Sequence, residues 1–373
     1  MKVVIVGAGI AGLCTAAGLG SIGAEVVLIE RAPEVRGGGS GLSLFGNGLK
    51  ALESLGLRSV VPDPVEVSPT VSGTRRPDGR WLSRFSPEVL ADLRVVRRGD
   101  LHDALLSRLG PGVEIRTGTG VRDVLDRGVV LDDGTILDDC DLVVGADGLR
   151  SRVRAAIGDD PGVTYSGYIA WRAITAHPVD LDAAGETMGR GHRFGIAPLP
   201  DGHVYWFAAV TYPREVSPGG IDEVRQRFSG WHASVGQVLD ATAPESVGVL
   251  PIEELADPLR TFVDGRRALV GDAAHAMTPN LGQGANQAME DAATLTALLS
   301  RPGADIDAAL AGYDRLRRAR TQRIARQARA IGRVGQWRSA PAVWLRDTAM
   351  RALPDAVADA QVRRIQDWQP PMR

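Results

Sequence analysis

Val3-Val4-Ile5-Val6-Gly7-Ala8-Gly9-Ile10-Ala11-Gly12 opens the chain, runs on through an apolar helical pattern over residues 13–20, and leads to Val26-Val27-Leu28-Ile29-Glu30. The β-branched run before Gly7 suits a parallel strand buried on both faces. Strand, G-x-G-x-x-G turn, helix and a second apolar strand ending in an acid make a βαβ unit with a dinucleotide fingerprint. Gly7 permits the tight turn, Gly9 lets a pyrophosphate approach the backbone, and Gly12 lets the helix pack closely on the strand. The helix N-terminus offers free N–H groups and a positive dipole end to phosphates. Glu30 can accept hydrogen bonds from ribose hydroxyls. Glycines that merely packed a helix on a sheet would leave that acid without a reason.

The totals are those of an ordinary soluble protein. The 373 residues suggest two or three packing units, with 44% hydrophobic and 24% charged side chains. A net charge of -2 argues against nucleic-acid binding, which calls for a basic excess. With only Cys14 and Cys140, neither a disulfide scaffold nor a cysteine-rich metal site is expected, and Cys14 reads as a buried bystander. The N-terminal apolar stretch is broken by Gly7, Gly9 and Gly12 and ends at Glu30, unlike a secretory signal. No run of about 18 apolar residues occurs, so no membrane span is expected, and a cytoplasmic location follows.

The fingerprint alone leaves FAD and NAD equal, since both carry an adenosine diphosphate half. Two later stretches separate them. Leu142-Val143-Val144-Gly145-Ala146-Asp147-Gly148 is a buried strand and turn before a helix start. Ala268-Leu269-Val270-Gly271-Asp272-Ala273-Ala274-His275 repeats that design, followed by Pro279, Gly282-Gln283-Gly284, Asn286 and a helix through Glu290-Asp291-Ala292. In this order and spacing the motifs resemble the class A flavoprotein monooxygenases, the family of p-hydroxybenzoate and salicylate hydroxylases, over about residues 1–335.

The resemblance implies FAD as cofactor, with Gly7, Gly9, Ile10, Ala11, Gly12, Glu30 and Arg31 around its adenosine diphosphate half. Asp272, at a strand end, can accept a hydrogen bond from a ribityl hydroxyl. Gly282, Gly284, Ala285 and Asn286 open a helix whose N–H groups can stabilise negative charge on reduced flavin. By the same likeness Pro279 lies beside the reactive edge of the isoalloxazine, and Asp147 serves FAD and the nicotinamide nucleotide. The segment 39–44, with Gly41, followed by Asn47 and Leu52, resembles the family's stretch under the flavin. Arg98 matches its arginine before a short helix, while Arg97 reads as a strand-end charge. His275 reads as a satisfied helix-start residue.

Between about residues 165 and 260 the pattern changes to strands, at 168–174, 194–199 and 204–211, followed by one or two helices over 221–239 and a strand at 247–250. A hairpin over 75–82, turning at Pro77-Asp78-Gly79, joins the same sheet. The expected fold is therefore α/β: a Rossmann-like FAD-binding domain (1–70, 95–164 and 260–300), an inserted, mainly antiparallel sheet-plus-helix substrate domain (71–94 and 165–259), and a C-terminal helical region (301–373). Pro279, Arg172 and Tyr205 are the candidate catalytic residues, with Trp171, Arg193 and Phe207 as further pocket candidates. Tyr205 and Phe207 share a strand face and Trp206 points opposite. His192 and His203 flank strands and read as exposed; no general base is assigned. The arginine-rich helix over 306–337, with an apolar stripe of Leu310, Tyr313, Leu316, Ile324 and Ile331, reads as a solvated face or subunit contact, and the tail after residue 340 as helices that pack back on the body.

The implied activity is a monooxygenase in which NADH or NADPH reduces FAD and a flavin C4a-hydroperoxide delivers one oxygen atom of O2 to a small aromatic or polycyclic substrate. The enzyme is expected as a monomer or homodimer. Epoxidation, Baeyer–Villiger insertion and N-hydroxylation on the same scaffold are the alternatives, and a non-catalytic flavin-binding redox sensor is a more distant one. A halogenase is disfavoured, because only Trp171-Arg172-Ala173-Ile174 stands against that branch's Trp-x-Trp-x-Ile-Pro.

Overall fold

The computed structural model describes residues 1–35, 38–62, 71–158 and 160–371; the expected boundary at residue 70 lies outside them. Its nucleotide-binding half is a six-stranded sheet in the order Val263–Asp264, Arg267–Leu269, Leu142–Gly145, Lys2–Val6, Glu25–Ile29, Val113–Arg116. All neighbours run parallel except the first pair. Val3–Val6 pair with Leu142–Gly145 on one side and Val26–Ile29 on the other. Val3, Val4 and Ile5 are at most 2% exposed, which explains the unbroken apolar run of this strand. The helix Ile10–Ser21 packs on this sheet and against the helix Gly284–Leu299, where a Cβ at Gly18 would overlap Thr296. Cys14 sits in that core, and burial pushes its thiol up to about 12, so it is inert at neutral pH.

A seven-stranded sheet forms the second half, in the order Gly248–Leu255, Val163–Ile174, Val204–Thr211, His192–Pro198, Ala184–Met188, Ser72–Arg75, Trp81–Arg84. The Pro77-Asp78-Gly79 hairpin is its far edge, closed by a 2.9 Å hydrogen bond from Gly79 N to Arg76 O. The strand Ala184–Met188 has no counterpart in the sequence reading, because Ala-Gly-Glu-Thr-Met lacks a strand-like pattern; it pairs parallel to Ser72–Arg75. Two short helices, Ile221–Arg227 and Ala233–Asp240, cover one face. There Phe194 stacks on Trp206 at 5.3 Å, and Trp171 meets Tyr212 edge-on at 5.9 Å. Trp171 therefore does not line the cleft: it is fully buried on the helix side, its Nε1 donating to Gly219 O at 2.8 Å. Successive strand residues point to opposite faces, so Trp171 and Arg172 cannot both face away from the covering helices.

The C-terminal region is helical: Ile306–Gly335, Ala340–Ala352 and Asp355–Gln366. The tail packs back, with Trp368 buried in the nucleotide-domain core. Of the expected apolar stripe, Leu310, Tyr313 and Ile324 are buried, whereas Leu316 and Ile331 are exposed. The arginines are not simply a solvated face either. Arg317 is 1% exposed and paired with both Glu290 and Asp291, and Arg329 pairs with Glu254.

Candidate active site

The separated motifs meet along one rim. The Gly7 turn, at φ 102°, backs onto the Ala146 carbonyl, and a Cβ at Gly12 would overlap Gly7 O. A Cβ at Gly271 would lie 2.8 Å from the Ala11 methyl, so the Gly-Asp turn touches the fingerprint helix. His102, in the helix Arg98–Leu106, reaches the same loop, its Nε2 2.8 Å from Ala8 O. Asn286, fully buried, accepts from Phe45 N at 2.9 Å and donates to Ser43 O at 3.0 Å, which fastens the segment 41–45 to the start of the helix Gly284–Leu299.

Around this rim the expected cofactor residues take different positions. Glu30 is half-buried and accepts from Ala8 N and Ala32 N, each at 2.9 Å, while Arg31 is exposed. Ile10 is buried, and Gly9, Ala11 and Ala285 are half-buried. Asp147 turns its carboxylate onto the next helix start, accepting from Ser151 Oγ and, at 2.7 Å, from Arg152 N. Asp272 is exposed, and a Cβ at Gly284 would be 3.9 Å from its Oδ1. Pro279 is exposed and begins the short turn Pro279–Leu281 before Gly282. The helices Ile10–Ser21 and Gly284–Leu299 have no side-chain cap and no acid in their first turns. Apart from its chain neighbours, no atom of the described residues lies within 4 Å of where a Gly9 Cβ would be. Two uncapped helix N-termini, an open approach at Gly9 and a free acid at Asp272 fit an anionic dinucleotide with a hydroxylated chain, which is what FAD presents.

On the substrate sheet Arg172 pairs with Phe207, Ile174 with Tyr205, and Arg193 with Ala209, so these residues share the face away from the covering helices. The Tyr205 ring lies against the Gly41 backbone and the Phe207 ring against Gly195, where any Cβ would overlap them. Arg172 is half-buried, and its side chain has no hydrogen-bond or ion-pair partner among the described residues. Burial pushes its guanidinium below the ordinary value; Tyr205 favours the charge and Arg98 opposes it. Burial likewise pushes the Tyr205 hydroxyl up, against the pull of Arg172 and Arg98. Arg172, Tyr205 and Arg98 thus form one electrostatic group across the seam between the two halves.

Arg193 is 2% exposed and engaged: its Nη2 donates to Asn280 Oδ1 at 2.6 Å, its Nη1 lies 3.1 Å from Glu186 Oε1, and it sits over the Tyr168 ring at 5.6 Å. Asn280 also donates to Tyr168 Oη at 3.0 Å and to Ala328 O at 2.9 Å. Tyr168, Glu186 and Asn280 were missed by sequence reasoning. Tyr168 could have been found by stepping in twos from Arg172, and Asn280 by its place after Pro279. His192 and His203 are half-buried rather than exposed; His192 Nδ1 is bound to Arg190 O at 2.9 Å. His275 is buried, with Nε2 bonded to Asp291 Oδ2 at 2.6 Å and Nδ1 buried without a partner among the described residues, so the residue expected to be satisfied is satisfied at one nitrogen only.

Comparisons with known proteins agree with this geometry. The family model described as "FAD binding domain" matches residues 1–88 and 111–328. Aurachin C monooxygenase/isomerase of Stigmatella aurantiaca is 37% identical, over 98% of this chain and 97% of that protein. A 2-heptyl-3-hydroxy-4(1H)-quinolone synthase of Pseudomonas aeruginosa is 36% identical, over 95% of each chain. Among solved structures, Klebsiella pneumoniae HpxO complexed with FAD and uric acid matches with a TM-score of 0.87 and 26% identity, covering 98% of this chain and 96% of the other. No helix among the described residues is long and apolar enough to cross a membrane. The chain belongs to the FAD-binding-domain family and is a class A FAD-dependent monooxygenase of the aromatic-hydroxylase type, using a nicotinamide nucleotide as cosubstrate.

Proposed function

We propose that the chain hydroxylates a small, electron-rich aromatic or fused-ring compound, with a nitrogen heterocycle of the 4-quinolone type as the leading class. The reaction takes place between Pro279 and the sheet face of Arg172, Tyr205 and Phe207. The half-buried, unpartnered Arg172 carries this reading. A cation withdrawn from water is costly unless a ligand supplies the opposite charge or a strong acceptor. A ring carbonyl, phenolate or enolate oxygen fits that need, with Tyr205 as a second donor and Phe207 as a flat apolar wall. The names of two relatives, a quinolone synthase and an aurachin monooxygenase, support the choice of ring.

FAD, when bound, supplies hydride acceptance and oxygen activation. The chain's residues bind and orient. Gly7, Gly9, Ile10, Ala11 and Gly12 would hold the pyrophosphate, Glu30 and Arg31 the adenosine, and Asp272 the ribityl chain. Gly282, Gly284, Ala285 and Asn286 would offer N–H groups to the flavin ring, and Gly41 and Arg98 would help to hold it. Asp147 acts through the backbone it caps. NADH or NADPH and O2 are the cosubstrates, and the enzyme works in the cytoplasm as a monomer or homodimer.

The test is nicotinamide oxidation by the FAD-loaded protein under O2, with quinolones, hydroxybenzoates and purines offered in turn, and the products weighed. Oxidation accelerated by a quinolone that gains one oxygen atom supports the proposal. Acceleration by hydroxybenzoates alone, or peroxide as the sole product throughout, overturns it.

A further inference from the structure

The buried charges behind the flavin cradle form a connected chain that ends at the C-terminal tail. Asp291 Oδ2 accepts from Gly271 N at 2.8 Å and from His275 Nε2 at 2.6 Å, so one oxygen fixes both ends of the turn that carries Asp272. Its Oδ1 accepts from Arg317 Nε at 2.7 Å. Arg317 also donates to Glu290, and Glu290 accepts from Arg320 Nε at 2.7 Å and from Asn47 Nδ2 at 2.7 Å. Arg320 then reaches the tail, donating from Nη2 to Ile365 O at 2.7 Å and from Nη1 to Asp367 O at 3.4 Å. Beside these carbonyls Trp368 is 9% exposed.

Glu290 and Asp291 are both 0% exposed, and the two carboxylates are balanced by two guanidiniums. Such a network holds one geometry only while every member is paired, because a buried charge that loses its partner has no water to replace it. Arg320 is the member nearest solvent, its side chain 11% exposed, and residues 365–368 lie over it. Asn47 extends the network to the helix Gly46–Ser54, which follows the segment 41–45. The tail reaches that helix as well: a Cβ at Gly46 would lie 3.5 Å from Gln366 Oε1.

We propose that Arg320 and Asp291 are positioning residues for FAD, and that the docked tail at residues 365–368 is coupled through them to the Gly271–Asp272 turn. Undocking the tail admits water to Arg320 and Glu290, weakens the hold of Arg317 on Asp291, and frees the turn. Coupling is reciprocal, so FAD bound at the turn must tighten the tail by the same factor that the tail tightens FAD. The inference rests on FAD binding and is independent of the substrate.

The test uses the full chain stripped of FAD and reloaded. FAD affinity is measured by flavin fluorescence in the wild type, in Trp368→Ala and in Arg320→Gln, together with the thermal midpoint of each apoprotein. Backbone hydrogen exchange over residues 355–368 is followed in the wild type with and without FAD. Coupling predicts FAD binding weaker by roughly 5- to 100-fold in both variants, with exchange over the tail slowed by FAD in the wild type. A tail whose exchange ignores FAD overturns the proposal even where a variant fails to fold. Variants that lower the apoprotein midpoint but bind FAD within about twofold of wild type assign the network to stability alone and also overturn it. A wild type that binds no FAD would instead sink the cofactor assignment itself.

Discussion

Arg193 Nη2 donates a 2.6 Å hydrogen bond to Asn280 Oδ1, and that bond ties the turn carrying Pro279 to the substrate sheet. Arg193 and the turn Pro279–Leu281, joined by a pair 87 residues apart in sequence, are thereby one mechanical unit. Arg193→Lys keeps the charge but loses the planar fork that serves Asn280 and Glu186 together. The expected outcome is a kcat lower by about 10- to 100-fold, since small misplacement of reacting groups has effects of that size. FAD affinity should stay near wild type, and a smaller share of nicotinamide oxidation should end in product. Unchanged coupling of oxidation to product would show that the turn does not need this bond.

Asp272 is exposed and makes no hydrogen bond to the described residues, so its carboxylate is free for a ribityl hydroxyl. Hydrogen bonds to charged groups contribute about 1.5–3 kcal/mol. Asp272→Ala should therefore weaken FAD binding by roughly 10- to 100-fold and leave the apoprotein melting temperature in place. Fluorescence titration and a thermal scan of the same sample decide it.

The Tyr205 ring occupies the space that a side chain at residue 41 would need. Gly41→Ala forces the ring aside, an overpacking cost of about 1–3 kcal/mol, and should raise KM for the aromatic substrate. Shortening the ring in the double variant Gly41→Ala/Tyr205→Ala should restore the lost stability. A double-mutant cycle measures the coupling, which should be non-zero only if the two positions touch.

Burial alone would raise the Glu290 and Asp291 carboxyls, but the paired charges override it and hold both below their ordinary values of 4.5 and 3.8. For Glu290 the overriding groups are Arg317 and Arg320; for Asp291 they are His275 and Arg317. A depressed carboxyl contributes stability that is complete above its unfolded pKa and is lost as pH falls through the folded one. The wild type should thus lose stability below about pH 4.5 as these acids protonate. Arg317→Met removes one cationic partner from each acid and leaves Glu290 to Arg320 and Asp291 to His275, at about 3–5 kcal/mol near neutral pH, and that deficit should shrink as the pH is lowered toward 5. Denaturant unfolding at several pH values checks the sign. A deficit independent of pH would exclude the under-paired carboxylates as its cause.

The cofactor half was legible because its chemistry is local. The unbroken run Val3–Val6, the spacing of Gly7, Gly9 and Gly12, and the Gly271-Asp272 step each state their own backbone requirement within a few residues. The helix Ile306–Gly335 was equally plain from its periodicity. Roles set by register or by distant partners were not. Trp171 and Arg172 are adjacent in sequence, and only the pairing of Arg172 with Phe207 decides which of them faces away from the covering helices. Arg317 and Arg320 read as surface cations until the helix Gly284–Leu299 brings Glu290 and Asp291 beneath them.

The sequence by itself determined the nucleotide-binding strand–turn–helix, the Gly-Asp turn and the existence of a separate substrate sheet, because glycine geometry and hydrophobic period act over one or two turns of chain. Tertiary structure alone decided that Arg193 serves Asn280, that Tyr205 lies on Gly41, and that the tail at Ile365 and Asp367 closes over Arg320. A side chain's partner is fixed by which surfaces meet when the core closes, and residues 45 to 164 positions apart carry no local mark of that meeting.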